Sequence, residues 1–218
     1  MQELAAGLWH WRARHPEWRE GEPWDPLVSS YALDDGGRLL LFDPLGVPEM
    51  ILARAAERET AIVLTAPWHE RDAQRLVERL RAPVYTPTPD TAEDLLRTYD
   101  FTAPEGWVSP DVRWLVEGRG EAHWYAAGDR LPVGVEAFPG QKRNDLVLWV
   151  ESMRAVVAGD TLADLGEGPQ INPRWLSADV TREQVVAGLR PLRELPVEHL
   201  LGTHGGPFPR AALERALA

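Results

Sequence analysis

Several short runs in this chain are apolar along their whole length and do not alternate. They include Arg38 to Asp43 (RLLLFD), Ala61 to Thr65 (AIVLT), Leu146 to Val150 and Ala155 to Ala158. An alternating strand buries one face, whereas a strand apolar at nearly every position buries both and needs cover on two sides. The helical patterns between these runs can supply that cover. Met50 to Arg58 has helical spacing, and Asp72 to Arg81 places Leu76, Val77 and Leu80 on one side. Asp90 followed by Glu93 resembles a capping box opening a helix through Leu95, Leu96 and Tyr99. Thr181 with Gln184 opens another, carrying Val185, Val186 and Leu189, and Pro209 suits the first turn of a last one. Val28 to Leu33, Pro83 to Thr86, Trp114 to Val116, Val133 to Phe138 and Val197 to Leu201 read as further strands. Two sheets with helices outside both satisfy this order, and so does a three-layer α/β arrangement. Pattern alone does not choose between them.

A chain of 218 residues suggests one domain, 1–218, able to bury roughly 70% of its unfolded surface without disulfide staples. With no Cys, thiol catalysis and Cys-ligated zinc are excluded. The net charge of −11 and the lack of a basic cluster argue against nucleic acid as a partner. Lys142 is the only lysine. No apolar run approaches the roughly 20 residues of a membrane span, and the N-terminus does not read as a signal sequence, so a cytoplasmic location is expected. The stretch 1–26 is rich in Trp: Trp9, Trp11, Trp18 and Trp24. It reads as a surface segment whose indoles dock on the core, with a partner-binding arm as the alternative.

Five further segments, in order, sit at strand ends: LLLFDPLG (Leu39 to Gly46), VLTAPWHERDA (Val63 to Ala73), FPGQ (Phe138 to Gln141), VVAGDTL (Val156 to Leu162) and LLGTHGGP (Leu200 to Pro207). Together they resemble the successive motifs of the metallo-β-lactamase superfamily, over about residue 27 to the end. The resemblance implies a four-layer αββα sandwich with a metal site along one edge. It also implies one or two ions, usually zinc, held by a T-H-x-H-x-D-H motif, a Pro-Gly-His, a Gly-Asp and a His-Gly. Imidazoles and carboxylates suit a divalent ion, which lowers the pKa of a bound water.

Only part of that set remains. Asp160 matches the Gly-Asp carboxylate and His204 the His-Gly imidazole, while Gln141 stands where a His would be. The central motif aligns two ways. Fixing Thr65 puts Ala66, Trp68, Glu70 and Arg71 on the ligand positions. Placing His69 on the second His puts Pro67, His69, Arg71 and Asp72 there, and this register is favoured because it keeps a His and an acid. His69, Asp160 and His204 are then the candidate metal ligands, Asp72 is a fourth ligand or base, and Arg71 repels a second ion. Each has a structural reading beside this. Asp160 could close a turn, His69 and His204 could be hydrogen-bonded loop residues, Asp72 could favour a helix dipole, and Arg71 could fill the vacated space by pairing with Asp160 or Asp72. His10, His15, His123 and His199 fall in no motif and read as structural or solvated. There is no nucleophile elbow, phosphate loop or dinucleotide fingerprint. Two functions stay open. One is a non-catalytic relative whose cleft binds an unknown small molecule or is only structural, with no metal. The other is a hydrolase with a single zinc or other divalent ion.

Overall fold

The computed structural model describes every residue from Met1 to Ala218. Its first sheet runs in sequence order through seven strands: β1 (Gln2–Ala5), β2 (Leu8–Arg14), β3 (Leu27–Asp34), β4 (Arg38–Phe42), β5 (Glu59–Val63), β6 (Val84–Pro87) and β7 (Ala122–Tyr125). Pairing is antiparallel from β1 to β4 and parallel from β4 to β7. Parallel neighbours need a crossover, and α1 (Glu49–Ala55), α2 (Ala73–Leu80), and α3 (Ala92–Tyr99) with α4 (Arg113–Val116) lie in those three connections. The second sheet takes β8 (Arg130–Leu131), β9 (Val135–Lys142), β10 (Asp145–Val150) and β11 (Ala155–Val157). After a small separate hairpin of β12 (Ala163–Asp164) and β13 (Pro169–Gln170) and the helix α5 (Arg182–Leu189), β14 (His199–Leu201) and β15 (Pro207–Pro209) complete that sheet, and α6 (Arg210–Ala216) ends the chain.

The continuous apolar runs do bury two faces. Leu40 and Phe42 point between the sheets and meet a set that includes Leu146, Leu148, Val157 and Leu201. Leu39 and Leu41 point outward, onto Ile51 and Leu52 of α1 and Leu76 and Val77 of α2. On the second sheet Val147, Trp149 and Val156 turn outward onto Val185 and Leu189 of α5 and Leu213 of α6. The result is an αββα sandwich, with the strand period of two dividing each run between an inner and an outer core. Leu80 and Val186 are partly buried at the margins of those helix contacts.

Three expectations change. Within the Trp-rich stretch 1–26 the Trp9 and Trp11 indoles do pack into the core under the outer helices, but residues 2–14 reach it as strands β1 and β2 of the sheet and not as a surface segment, while Trp18 and Trp24 lie beyond those strands and are only partly buried. Trp114 to Val116 is a short helix, because the Glu70 carboxylate accepts the Val112 N–H at 2.7 Å and the Trp114 indole N–H at 3.1 Å, holding the turn from outside. The helix of 92–99 is capped not by Asp90 but by a box one residue later, between Thr91 and Asp94. No helix is long and apolar enough to cross a membrane.

The two sheets join at one edge, where backbone bonds cross between them. Leu146 N–H donates to the Thr65 carbonyl (2.9 Å) and Ser29 N–H to the Thr203 carbonyl (2.9 Å). Leu148, fully buried between the sheets, should lose about 2–5 kcal/mol on substitution by Ala, from lost transfer energy and the cavity left behind. The exposed Leu96→Ala should change stability by no more than about 0.5 kcal/mol. Denaturant unfolding of the two variants checks the contrast.

Candidate functional site

Asp43 follows the last residue of β4 with φ 44°, a left-handed conformation that Asp tolerates better than most residues. The turn tucks its carboxylate inward, where it is 2% exposed. One oxygen accepts the Thr65 backbone N–H at 2.8 Å. The other accepts the Thr65 hydroxyl at 2.7 Å and the Thr203 hydroxyl at 3.3 Å, and faces His69 Nδ1 at 3.2 Å. Burial would raise the Asp43 pKa, but the charge and hydrogen bond of His69, the Arg71 charge and the Thr65 hydroxyl together hold it below the usual carboxylate value.

His69 closes a short 3₁₀ turn, Pro67–His69, after β5. Its Nδ1 also lies 2.8 Å from Thr65 Oγ1, and its Nε2 lies 3.1 Å from Asp160 Oδ1. The Thr65 hydroxyl proton already goes to Asp43, so both ring nitrogens face acceptors. A neutral imidazole has one N–H, and only the imidazolium has two. Burial would lower the His69 pKa, but Asp160 and Asp43, through charge and hydrogen bonding, raise it to about 10. Asp160 stands past the end of β11 and also meets His204 Nε2 at 3.3 Å and accepts the Trp68 indole N–H at 3.0 Å. Burial opposes its ionisation, yet His69 and His204 hold its pKa well below the ordinary value. Gly159, at φ 55°, admits no side chain, since a Cβ there would sit 2.7 Å from Asp145 Oδ1.

The structure thus brings Asp43, His69, Asp160 and His204 to one edge, with the Gln141 amide donating to the Asp160 carbonyl at 3.1 Å. Arg71 joins them, but not by the expected carboxylate pair. Its Nη1 donates to the backbone carbonyls of Asp43 (2.7 Å) and Ser29 (3.1 Å), because the positive φ of 42° at Arg71 turns the side chain back under β3 and β4. Asp72 does not join them. Its carboxylate accepts the Gly46 N–H at 2.7 Å and pairs with Arg75 at 3.3 Å, so the fourth-ligand or base position expected for it is corrected. It stands at the N-cap of α2 and is not among the residues that line the cleft.

A cleft of about 300 Å³ opens above His69, Arg71, Asp160 and His204. Three tryptophans distant in sequence, Trp24, Trp68 and Trp175, share its lining. Trp24 and Trp175 meet the His204 ring edge-on at 5.1 and 5.2 Å. His15, read above as a residue without a motif, and Lys142 also line it. Motif spacing could not find these residues. The only signals were the density of Trp and the single lysine, and neither indicates where the loops converge.

Would the donors suit a metal? His69 Nε2 and His204 Nε2 lie 3.1 and 3.3 Å from Asp160 Oδ1, near the roughly 3.3 Å that separates donors around a tetrahedral ion with bonds of about 2.0–2.1 Å. In donor type, and in these two separations, the three residues resemble part of a site for one ion. Both imidazoles nevertheless aim at the carboxylate oxygen itself, and no set of three or more His, Asp or Glu side chains forms a ready cage. Near these donors, Gln141 is buried with its amide on the Asp160 carbonyl, and the Arg71 guanidinium brings a positive charge to the cleft.

Similarity to solved structures agrees with this architecture. The chain is similar to the DIM-1 metallo-β-lactamase (TM-score 0.65, 14% identity, covering 99% of this chain and 94% of that one). It is similar to a metallo-β-lactamase family protein from Thermus thermophilus (TM-score 0.60, 19% identity, 98% and 78% covered). A third similar protein was solved in a di-iron-bound form (TM-score 0.55, 20% identity, 87% and 93% covered). No family model and no curated protein matches the chain. The fold is therefore the metallo-β-lactamase fold.

The raised His69 pKa has a consequence for stability. Its contribution is complete below the unfolded pKa of about 6.5, and it is lost as pH rises through the folded value of about 10. Protein stripped of divalent ions should lose stability between those limits, and His69→Gln should flatten that part of the profile. Denaturant midpoints measured across the alkaline range test both.

Proposed function

We propose that this chain is a divergent metallo-β-lactamase-fold protein without a dinuclear metal centre, whose cleft binds a small molecule and does not hydrolyse it. The observation that carries this reading is the commitment of the cleft floor. Both His69 nitrogens are engaged by Asp43, Thr65 and Asp160. Arg71, with a fixed positive charge, is anchored on two carbonyls beside them. Imidazolium and guanidinium together supply the positive charge that the two buried aspartates require. The cleft volume also falls at the small end of the roughly 300–1,000 Å³ range typical of small-molecule sites.

A second reading is favoured by one observation, the convergence of His69, His204 and Asp160 at tetrahedral donor spacing. These three would hold a single ion, which when bound would supply Lewis acidity and an activated water. The chain's own part would be to orient His69 through the Asp43 bond to Nδ1, as metal-bound imidazoles usually require.

Elemental analysis after purification without chelators, followed by zinc titration, separates the two. The first reading expects well under one ion per chain. It also expects Arg71→Ala to destabilise the protein by about 2 kcal/mol through two lost charge-assisted hydrogen bonds. One ion per chain, lost in His204→Ala and kept in Arg71→Ala, would establish the second. Two ions per chain at full occupancy would overturn both.

A further inference from the structure

Two cations in the cleft, Arg71 and Lys142, make no direct contact with a carboxylate. Arg71 makes both of its hydrogen bonds through Nη1, while its Nη2, on a residue that lines the cleft, donates to no group of the chain. Lys142 forms no ion pair; its ammonium lies over the rings of Trp68 at 4.7 Å and Tyr99 at 5.5 Å. A guanidinium edge that faces the cleft without an acceptor leaves a place for one. The resident carboxylate cannot serve: Asp160 is already taken by His69, His204 and Trp68. Glu17 and Glu22 also line the cleft, but both are exposed, where solvent and salt screen them.

The walls carry a second requirement. Trp24, Trp68 and Trp175 are only partly buried, and all three bound the same small cleft. Indoles left half in water around one cavity are apolar area that a flat ring would cover, with offset or edge contacts. With Lys142 already on the Trp68 face, a cationic ligand would meet a like charge there.

We infer that the cleft is a binding site for a small aromatic anion, its ring among Trp24, Trp68 and Trp175 and its carboxylate on Lys142 and the free edge of Arg71. This rests on the small-molecule reading above and names the ligand class for it.

Calorimetric titration of the full chain tests the inference with three probes of one shape: naphthalene-2-carboxylate, neutral 2-naphthylmethanol and the 2-naphthylmethyl-trimethylammonium cation. The carboxylate should bind roughly tenfold or more tighter than either of the others. Lys142→Met should remove most of that preference, leaving only the share due to Arg71, while Lys142→Arg keeps most of it. Trp175→Ala should weaken the carboxylate and the alcohol together. Lys142 and Trp175 are partly exposed, and circular dichroism confirms that each variant is folded. Equal affinity for acid and alcohol, tighter binding of the cation, no binding of the acid, or acetate binding as well as the naphthoate would each overturn the inference. Zinc titration of the same preparation keeps the two levels apart. Failure of naphthoate in protein that takes up no zinc overturns the aromatic anion alone, whereas two zinc ions per chain overturn the underlying reading whatever the naphthoate does.

Discussion

A carboxylate shut away from water persists in a fold only when donors surround it, because an unpaired buried charge costs several kcal/mol. Asp43 meets that condition by gathering Thr65, His69 and Thr203 from segments following β5 and β14, one strand in each sheet. Asp160 does the same from the end of β11, drawing in His69, His204 and Trp68. His69 is common to both. The joined edge of the sandwich therefore depends on one imidazolium held between two aspartates, and loops that would otherwise be free to separate are tied at that point.

Two of the six left-handed residues other than glycine stand at the same place. Asp43 and Arg71 are both left-handed without being glycine, a conformation that costs about 1 kcal/mol or more for such residues. Gly159 is squeezed between Asp145 and Thr65. Asp145, also fully buried, shows how finely the charges are set: burial and repulsion from Asp160 raise its pKa, while Asp160 beside it stays ionised because the imidazoles face it.

The particular departures from sequence reasoning share a cause. Asp72 looked like a ligand because it follows His69 in the motif, but the backbone reverses at Arg71 and delivers it to Gly46 and Arg75. Arg71 looked like a carboxylate partner and instead satisfies backbone carbonyls, which no pattern of side chains reveals. Trp114 has strand-type neighbours, yet a carboxylate 44 residues away holds it in a helical turn. Trp9 and Trp11 are recognisable as core material, but not as members of the sheet, since Leu8 to Arg14 pairs with β3 at long range.

By itself the sequence determined that strands such as RLLLF are covered on both faces by helices, while leaving a two-sheet sandwich and a three-layer arrangement both open. The choice of the sandwich, and of the edge on which Asp43, His69, Asp160 and His204 stand, came from the resemblance carried by five short segments in order. Tertiary structure decided which of those residues meet, how their charges are balanced, and that Trp24, Trp68 and Trp175 come together around Lys142 and Arg71. Apolar periodicity is a local property that every few residues repeat. Charge compensation and cleft walls depend on atoms brought within a few ångströms from distant parts of the chain, and that information exists only once the sheets have closed.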